Sequence, residues 1–451
     1  MKASRVFLHF GLVITILISI FLSILIWINP ATFQHDSKAT TNTGENSENV
    51  NKKKMSDVFL PLQATLNQND QEYFLFSHKF DVTSKVSQQL RKIKVKDGSL
   101  KTYKTDSEYQ NFLRQNNALL LNYNNPITTK LFNQVFSQKL KGLQDYKFNR
   151  ILIPLQNEKN IFLVSDQTKQ AYEVTTKKNP YSKIKGVLAS ANIKKLGIAY
   201  YPLSNEELTV FYTNSFSLPR YSYLINKSNI SPFLNQLLNS KGQSSISTKL
   251  QKEKTIYSDS TNNRIEVNDR NGQVTYENYS NLEYYDENQR IQTQKQSLYD
   301  HLKESFTQLK SLGVQLDDVR YAEYNESDNS VTYRSYIAGF PIINEDSYGT
   351  YKIQLMNSGG KKYVFSLNNL QVPVPSGGAR EELPSTYTVY QKLQSAGYPS
   401  SEIKNIKVAY KWEQSTSSKL VVDLVPTYFI YYSGHWQSYQ DLLAHKVISG
   451  N

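Results

Sequence analysis

Hydrophobic positions are distributed unevenly along this chain. Residues 6–28 form an apolar run without a charged side chain, and most of residues 29–57 behind it is polar. A helix rises about 1.5 Å per residue, so these 23 residues reach across a hydrocarbon core of roughly 30 Å. Lys2 and Arg5 both precede the run, which places residues 1–5 in the cytoplasm and everything after residue 28 outside. Trp27 suits the outer interface. A cleaved signal peptide fits less well, because its apolar core is about 7–15 residues long and Trp27-Ile28-Asn29-Pro30-Ala31 lacks the small-residue cleavage pattern. The pattern predicts one transmembrane anchor at 6–28 and a flexible stalk at 29–57. Inside the anchor, Gly11, Thr15, Ser19 and Ser23 recur at every fourth position. Such a ridge of small side chains lets a second helix approach closely in lipid. The alternative is that the three hydroxyls bond back to their own helix.

Beyond the stalk the periodicity becomes that of mixed helices and short strands. Residues 58–205 read as an N-terminal α+β domain. Phe112, Leu113, Leu119, Leu120 and Leu121 suggest a helix over 107–123, and Leu131, Val135, Phe136 and Leu140 suggest another over 127–140. Strands are expected at 150–155, 160–164, 171–175 and 197–201. Residues 206–292 read as a mostly β middle domain, with strands at 210–216, 221–225, 255–258, 264–268 and 273–277. Ser231 with Pro232 behind it marks a helix start, and Asn271-Gly272 marks a hairpin turn.

Residues 293–451 read as a C-terminal α+β domain. A helix over 297–312 ends at Gly313, and strands follow at 319–324, 330–337, 350–355 and 362–367. A second helix over 387–396 ends at Gly397, with strands at 403–412, 420–426 and 427–432. Leu309-Lys310-Ser311-Leu312-Gly313 aligns with Leu393-Gln394-Ser395-Ala396-Gly397, which predicts two helix-plus-meander units.

The 451 residues include no cysteine, which excludes disulfides, thiolate metal sites and cysteine nucleophiles. The net charge of +13 favours contact with anionic wall polymers or lipid headgroups. Apart from Lys52-Lys53-Lys54 the cations are scattered, so the charge reads as a general surface property. A nucleic-acid partner is not expected. The 33 tyrosines suggest half-exposed sheets.

Signatures of catalysis are sparse. His9, His35, His78, His301, His435 and His445 show no metal-binding spacing, and there is no nucleophile elbow or P-loop. Asp317-Asp318 reads as a solvated turn, Ser376-Gly377-Gly378-Ala379-Arg380 as a plain glycine loop, and Gly434-His435-Trp436 as a hairpin tip. No catalytic, cofactor-binding or metal-binding residues are expected, and an enzyme is not the favoured class.

Residues 145–440 resemble the YycH family. The resemblance is carried by Asn149-Arg150-Ile151-Leu152-Ile153-Pro154-Leu155, by Leu218-Pro219-Arg220-Tyr221-Ser222-Tyr223-Leu224-Ile225, and by Tyr257-Ser258-Asp259 with Asn271-Gly272-Gln273-Val274-Thr275-Tyr276-Glu277-Asn278. Gly339-Phe340-Pro341-Ile342, Gly349-Thr350, Leu424-Val425-Pro426-Thr427-Tyr428 and Trp436 complete it. The resemblance implies a membrane-anchored α+β regulator of the WalK–WalR two-component system, which controls cell-wall metabolism in low-GC Gram-positive bacteria. It also implies a last domain similar to YycI, and association with YycI and the kinase WalK partly through transmembrane helices. Two other readings stand beside it: a module that binds wall polymers or senses a ligand, and an inhibitor or chaperone of exported proteases.

Overall fold

Leu119, Leu120 and Leu121 are all fully buried, and they show how the N-terminal half is layered. Leu119 and Leu121 face the main core, whereas Leu120 faces a smaller core on the opposite side. That is the alternation of a central strand covered on both faces. The computed structural model describes residues 53–444, except 157–158, 178, 204–207, 239–245, 280–296, 315, 317, 345–347, 357–358 and 417. No helix among the described residues is long and apolar enough to cross a membrane. The expected anchor and nearly all of the stalk lie outside them.

The first half begins with the short helix α1 (Met55–Val58), then strands β1 (Gln63–Gln68) and β2 (Gln71–Phe76). Helix α2 (Val82–Leu90), β3 (Val95–Thr102), α3 (Asp106–Leu113), β4 (Ala118–Thr128) and α4 (Thr129–Phe136) follow. Strands β5 (Lys147–Pro154), β6 (Asn160–Ser165) and β7 (Gln170–Thr176), helix α5 (Tyr181–Leu188), and strands β8 (Lys194–Pro202) and β9 (Leu208–Tyr212) complete it. These form one sheet of nine strands in the order β3-β7-β6-β5-β4-β1-β2-β8-β9.

Two helices are shorter than the periodicity predicts. The one expected at 107–123 stops at Leu113, and residues 118–123 belong to β4. A short run of consecutive leucines does not distinguish a buried strand from a buried helix. The helix expected at 127–140 is only α4. It ends at Ser137 in the left-handed conformation, and the Gln138 amide then donates to the carbonyls of Leu90, Ile93 and Phe136.

The second half contains β10 (Phe216–Pro219), β11 (Tyr221–Lys227), α6 (Ser231–Leu237), β12 (Ser247–Gln251), β13 (Lys254–Ser258), β14 (Asn263–Asn268) and β15 (Gln273–Asn278). Helix α7 (Leu298–Ser311) leads to β16 (Val319–Asn325), β17 (Ser330–Ile337), β18 (Phe340–Ile343), β19 (Thr350–Leu355), β20 (Lys361–Ser366), β21 (Asn368–Val374) and β22 (Arg380–Leu383). Helix α8 (Thr386–Ser395), strands β23 (Asn405–Gln414), β24 (Val421–Tyr432) and β25 (His435–Ser438), and helix α9 (Tyr439–Ala444) close the described chain. Fourteen strands make one sheet, and β10 pairs with β22 separately.

The strands of residues 206–292 are divided among the three sheets. β11 pairs with β24, and β12 to β15 join the C-terminal sheet through the pairing of β15 with β20, whereas β9 belongs to the nine-stranded sheet and β10 pairs with β22. Ser231 is not the N-cap of α6. Ile230 holds that position, and the Asn229 side chain accepts from the Ser231 amide. The two strands expected at 420–426 and 427–432 are the single strand β24. Pro426 sits between the segment paired with β11 and the segment paired with β25, where its missing N–H costs no ladder bond on that side.

Helices α7 and α8 are built alike. Ser297 and Ser385 cap their N-termini, and Gly313 and Gly397 follow with φ of +65° and +93°. Parallel pairing of Ile342 with Tyr410 links the strands behind the two helices. The tyrosines depart from the half-exposed expectation, since Tyr321, Tyr333, Tyr363, Tyr410 and Tyr428 are fully buried. Their hydroxyls find partners inside, as in Tyr333 to Ser305 Oγ at 3.1 Å and Tyr410 to the Pro219 carbonyl at 3.0 Å.

Candidate functional site

The residues nearest the expected anchor are built into the junction of the two halves. In α1, the Lys54 amide donates to Asp57 Oδ2 at 3.0 Å, and Met55 and Val58 turn inward. Phe59 follows at 0% exposure. Its ring lies 6.0 Å from Phe306 on α7, 5.2 Å from Tyr321 on β16 and 6.0 Å from Tyr333 on β17. Its carbonyl accepts from the Tyr123 hydroxyl on β4 at 3.1 Å. One residue at the root of the folded region therefore touches both sheets. Arg91, at the end of α2, donates to the Val135 carbonyl at 3.0 Å and to the Ser56 carbonyl, tying the root to α2 and α4.

The junction is held elsewhere by contacts of the same mixed kind. Phe74 and Phe76 on β2 pack on Phe340, with centroids 5.4 Å and 6.0 Å away. The Tyr324 amide donates to Asn125 Oδ1 at 3.0 Å, and the Tyr212 amide donates to Thr386 Oγ1 at 2.9 Å. Arg320, nearly buried, contacts Asp318 and reaches Asp81 in the other half.

Beside the root lies an open cleft of about 810 Å³. Lys53, Lys54, Arg91, Lys303 and Lys310 line it, together with Met55 and Phe306, and no carboxylate does. Lys303 and Lys310 are seven apart on α7 and share a face with Phe306 and Thr307. Only Lys52-Lys53-Lys54 stood out in the sequence. Arg91 and the two α7 lysines gave no signal, because their convergence depends on how α2 and α7 pack.

Gly11, Thr15, Ser19 and Ser23, the predicted partner-helix ridge, lie outside the described residues, as do His9, His35, His445 and Asp317. Asp318 is not a purely solvated turn residue. It accepts from Arg320 Nε at 3.0 Å and Nη2 at 2.9 Å. Gly377 and Gly378 both have positive φ in the turn before β22, where Arg380 is held by Ser217. Ser433 and Gly434 turn the hairpin into β25, and Lys407 Nζ sits 3.6 Å from the Trp436 ring centroid. His301 is buried with Nε2 3.1 Å from the Asn329 carbonyl oxygen, and burial lowers its pKa. Among the described residues no three metal-ligating side chains cluster.

Arg150, within one of the resemblance motifs, is 5% exposed on β5. Its Nε donates to Asp166 at 2.8 Å and its Nη1 to Asn122 Oδ1 at 2.9 Å, while Tyr109 and Asn149 also donate to Asp166. This network ties β5 to β4 and to the turn after β6.

The family model described as the YycH protein N-terminal domain matches residues 7–192, and the YycH protein C-terminal domain matches residues 210–446. The fold is similar to the crystal structure of YycH from Bacillus subtilis, with a TM-score of 0.66 and 16% sequence identity. The match covers 86% of this chain and 97% of that one. No curated protein matches the chain. With one family model on each half, the chain belongs to the YycH family, regulatory proteins generally associated with WalK.

Proposed function

We propose that the chain is a non-enzymatic regulator in the cell membrane that acts on the WalK–WalR system by associating with WalK and with YycI. In this reading residues 6–28 are the single-pass anchor, residues 1–5 are cytoplasmic and the folded region lies outside. Gly11, Thr15, Ser19 and Ser23 are the face toward a partner helix, and the C-terminal region is the YycI-like part. Family membership supports the regulatory role. The observation that carries a mechanism is the burial of Phe59 between the two halves, immediately behind the stalk. A change in how the halves meet is felt at Phe59, where the folded region joins the stalk. A regulator shifts its kinase only by binding one kinase state better than another, and a change at this junction alters the surface that the folded region offers to the kinase.

A membrane two-hybrid assay tests the reading. Residues 1–32 alone and the full chain are each paired with WalK and YycI, with Ser19→Leu as the ridge variant. The expected result is association by both forms and loss with Ser19→Leu at unchanged protein level. Association by the full chain alone moves recognition to the folded region. Association by neither form rejects the regulatory complex.

A further inference from the structure

We infer that the cleft at the root of the folded region binds the headgroup of an anionic phospholipid, with its cations on the phosphate and its apolar residues on the glycerol end. The inference rests on residues 6–28 being an anchor, but not on WalK as partner. Lys54, Arg91, Lys303 and Lys310 converge from α2, α7 and the chain just before α1, and none has a carboxylate within ion-pair distance among the described residues. Nearby carboxylates stay out of the cleft lining and accept hydrogen bonds from neutral donors. Asp57 accepts from the Lys54 amide and Ser56, Asp300 from Ser297, and Glu304 from Gln308. Arg91 uses its N–H groups on two carbonyls, so its charge is fixed in place without being neutralised.

Two observations favour a lipid over a wall polymer. Met55 and Phe306 line the same cleft, and the edge of each that the fold leaves uncovered gives it an apolar floor beneath the cations. A repeating polyol phosphate has nothing apolar to place there, whereas a phospholipid carries its acyl ester linkages just behind the phosphate. The chain also enters the cleft from the anchor. Residues 28 and 53 are joined by 25 peptide units, which fully extended span at most about 90 Å. The cleft is thus tethered to the bilayer, at a high effective concentration of headgroups.

The test is a lysine-acylation footprint of the full chain in an uncharged detergent, read at Lys54 by mass spectrometry. The chain is titrated with dihexanoyl phosphatidylglycerol, dihexanoyl phosphatidylcholine or poly(glycerol phosphate), and Lys249 on β12 serves as an exposed control. The expected result is saturable protection of Lys54, but not Lys249, by the phosphatidylglycerol alone. In the Lys303→Gln/Lys310→Gln variant the midpoint rises about 25-fold, at roughly fivefold per lysine. Equal protection by phosphatidylcholine, stronger protection by poly(glycerol phosphate), or no protection of Lys54 each overturns the inference. Co-purification of the same variant with WalK is read separately, and its retention leaves the regulatory proposal intact whichever way the footprint falls.

Discussion

Arg320 on β16 places Nη2 3.4 Å from Asp81 Oδ2 at the N-terminus of α2, so one guanidinium crosses from the second half of the chain to the first. Its side chain is 7% exposed, and the same nitrogen lies 2.9 Å from Asp318. Asp81 has a second duty as the N-cap of α2, accepting from the Ser84 amide and the Thr83 hydroxyl.

The two duties of Asp81 separate by substitution. Asp81→Asn keeps a capping side chain but removes the charge facing Arg320, whereas Asp81→Ala removes both. The alanine variant is expected to be less stable than the asparagine variant by about 1 kcal/mol, the value of a cap. Arg320→Ala is expected to cost about 3 kcal/mol or more, because it leaves two carboxylates facing each other at the junction. Urea unfolding of the full chain measures all three. Equal stability of the two Asp81 variants would show that the cap contributes nothing.

The Arg150–Asp166 pair predicts an acid limb. Burial by itself would raise the Asp166 pKa, but the Arg150 guanidinium and the donors Tyr109 and Asn149 outweigh it and hold the carboxyl below its usual 3.8. A depressed carboxylate adds stability above the unfolded pKa and loses it as pH falls through the folded one. The contribution is therefore complete at neutral pH and begins to fall below about pH 4. Asp166→Asn is expected to cost about 3 kcal/mol at pH 7 and to flatten the fall in stability below pH 4. An unchanged acid limb in that variant would move the effect to other carboxylates.

What could be read from the chain in advance was local. The helix start at Ser297 and its end at Gly313 follow from side chains within one turn of each boundary. The Asn271-Gly272 hairpin likewise needs only a residue that accepts positive φ, and Gly272 has φ of +74°. Leu119-Leu120-Leu121 misled because burial on both faces erases the period that separates strand from helix. The 206–292 region looked independent because nothing within it shows that Val274 and Tyr276 face Phe365 and Tyr363 across a strand pair. The cationic cleft was hidden for the same reason, since Arg91 and Lys303 are distant in sequence and adjacent only through the fold.

The root at Phe59 predicts a local release. Phe59→Ala removes a fully buried ring packed on three aromatic neighbours and is expected to cost about 3–5 kcal/mol. Phe59→Leu, closer in volume, is expected to cost less than half of that. Because the ring fastens the chain directly behind Lys53 and Lys54, trypsin is expected to cut at Lys54 faster in the alanine variant before the rest of the domain unfolds. Simultaneous cleavage at the root and in the core would show that the root does not open by itself.

Lys407 on β23 provides a group that titrates near neutrality. Burial lowers its pKa first, the nearby Arg334 guanidinium lowers it further, and Glu323 opposes both, leaving it at about 7. The Trp436 ring, 3.6 Å from Nζ, favours the ammonium form and works against the burial. Only the neutral amine is acylated, so the rate of acetylation at Lys407 is expected to rise with a midpoint near pH 7, far below the 10.5 of an ordinary lysine. Arg334→Gln should move the midpoint up, and Trp436→Leu should move it down. Stability follows the same titration. The unfolded chain holds this proton up to about pH 10.5 and the folded chain only to about pH 7, so between these values the unfolded state binds more protons and stability rises with pH. Lys407→Met should remove that rise. A midpoint near 10 would mean that water reaches the ammonium, and that the contact with Trp436 is made at the surface.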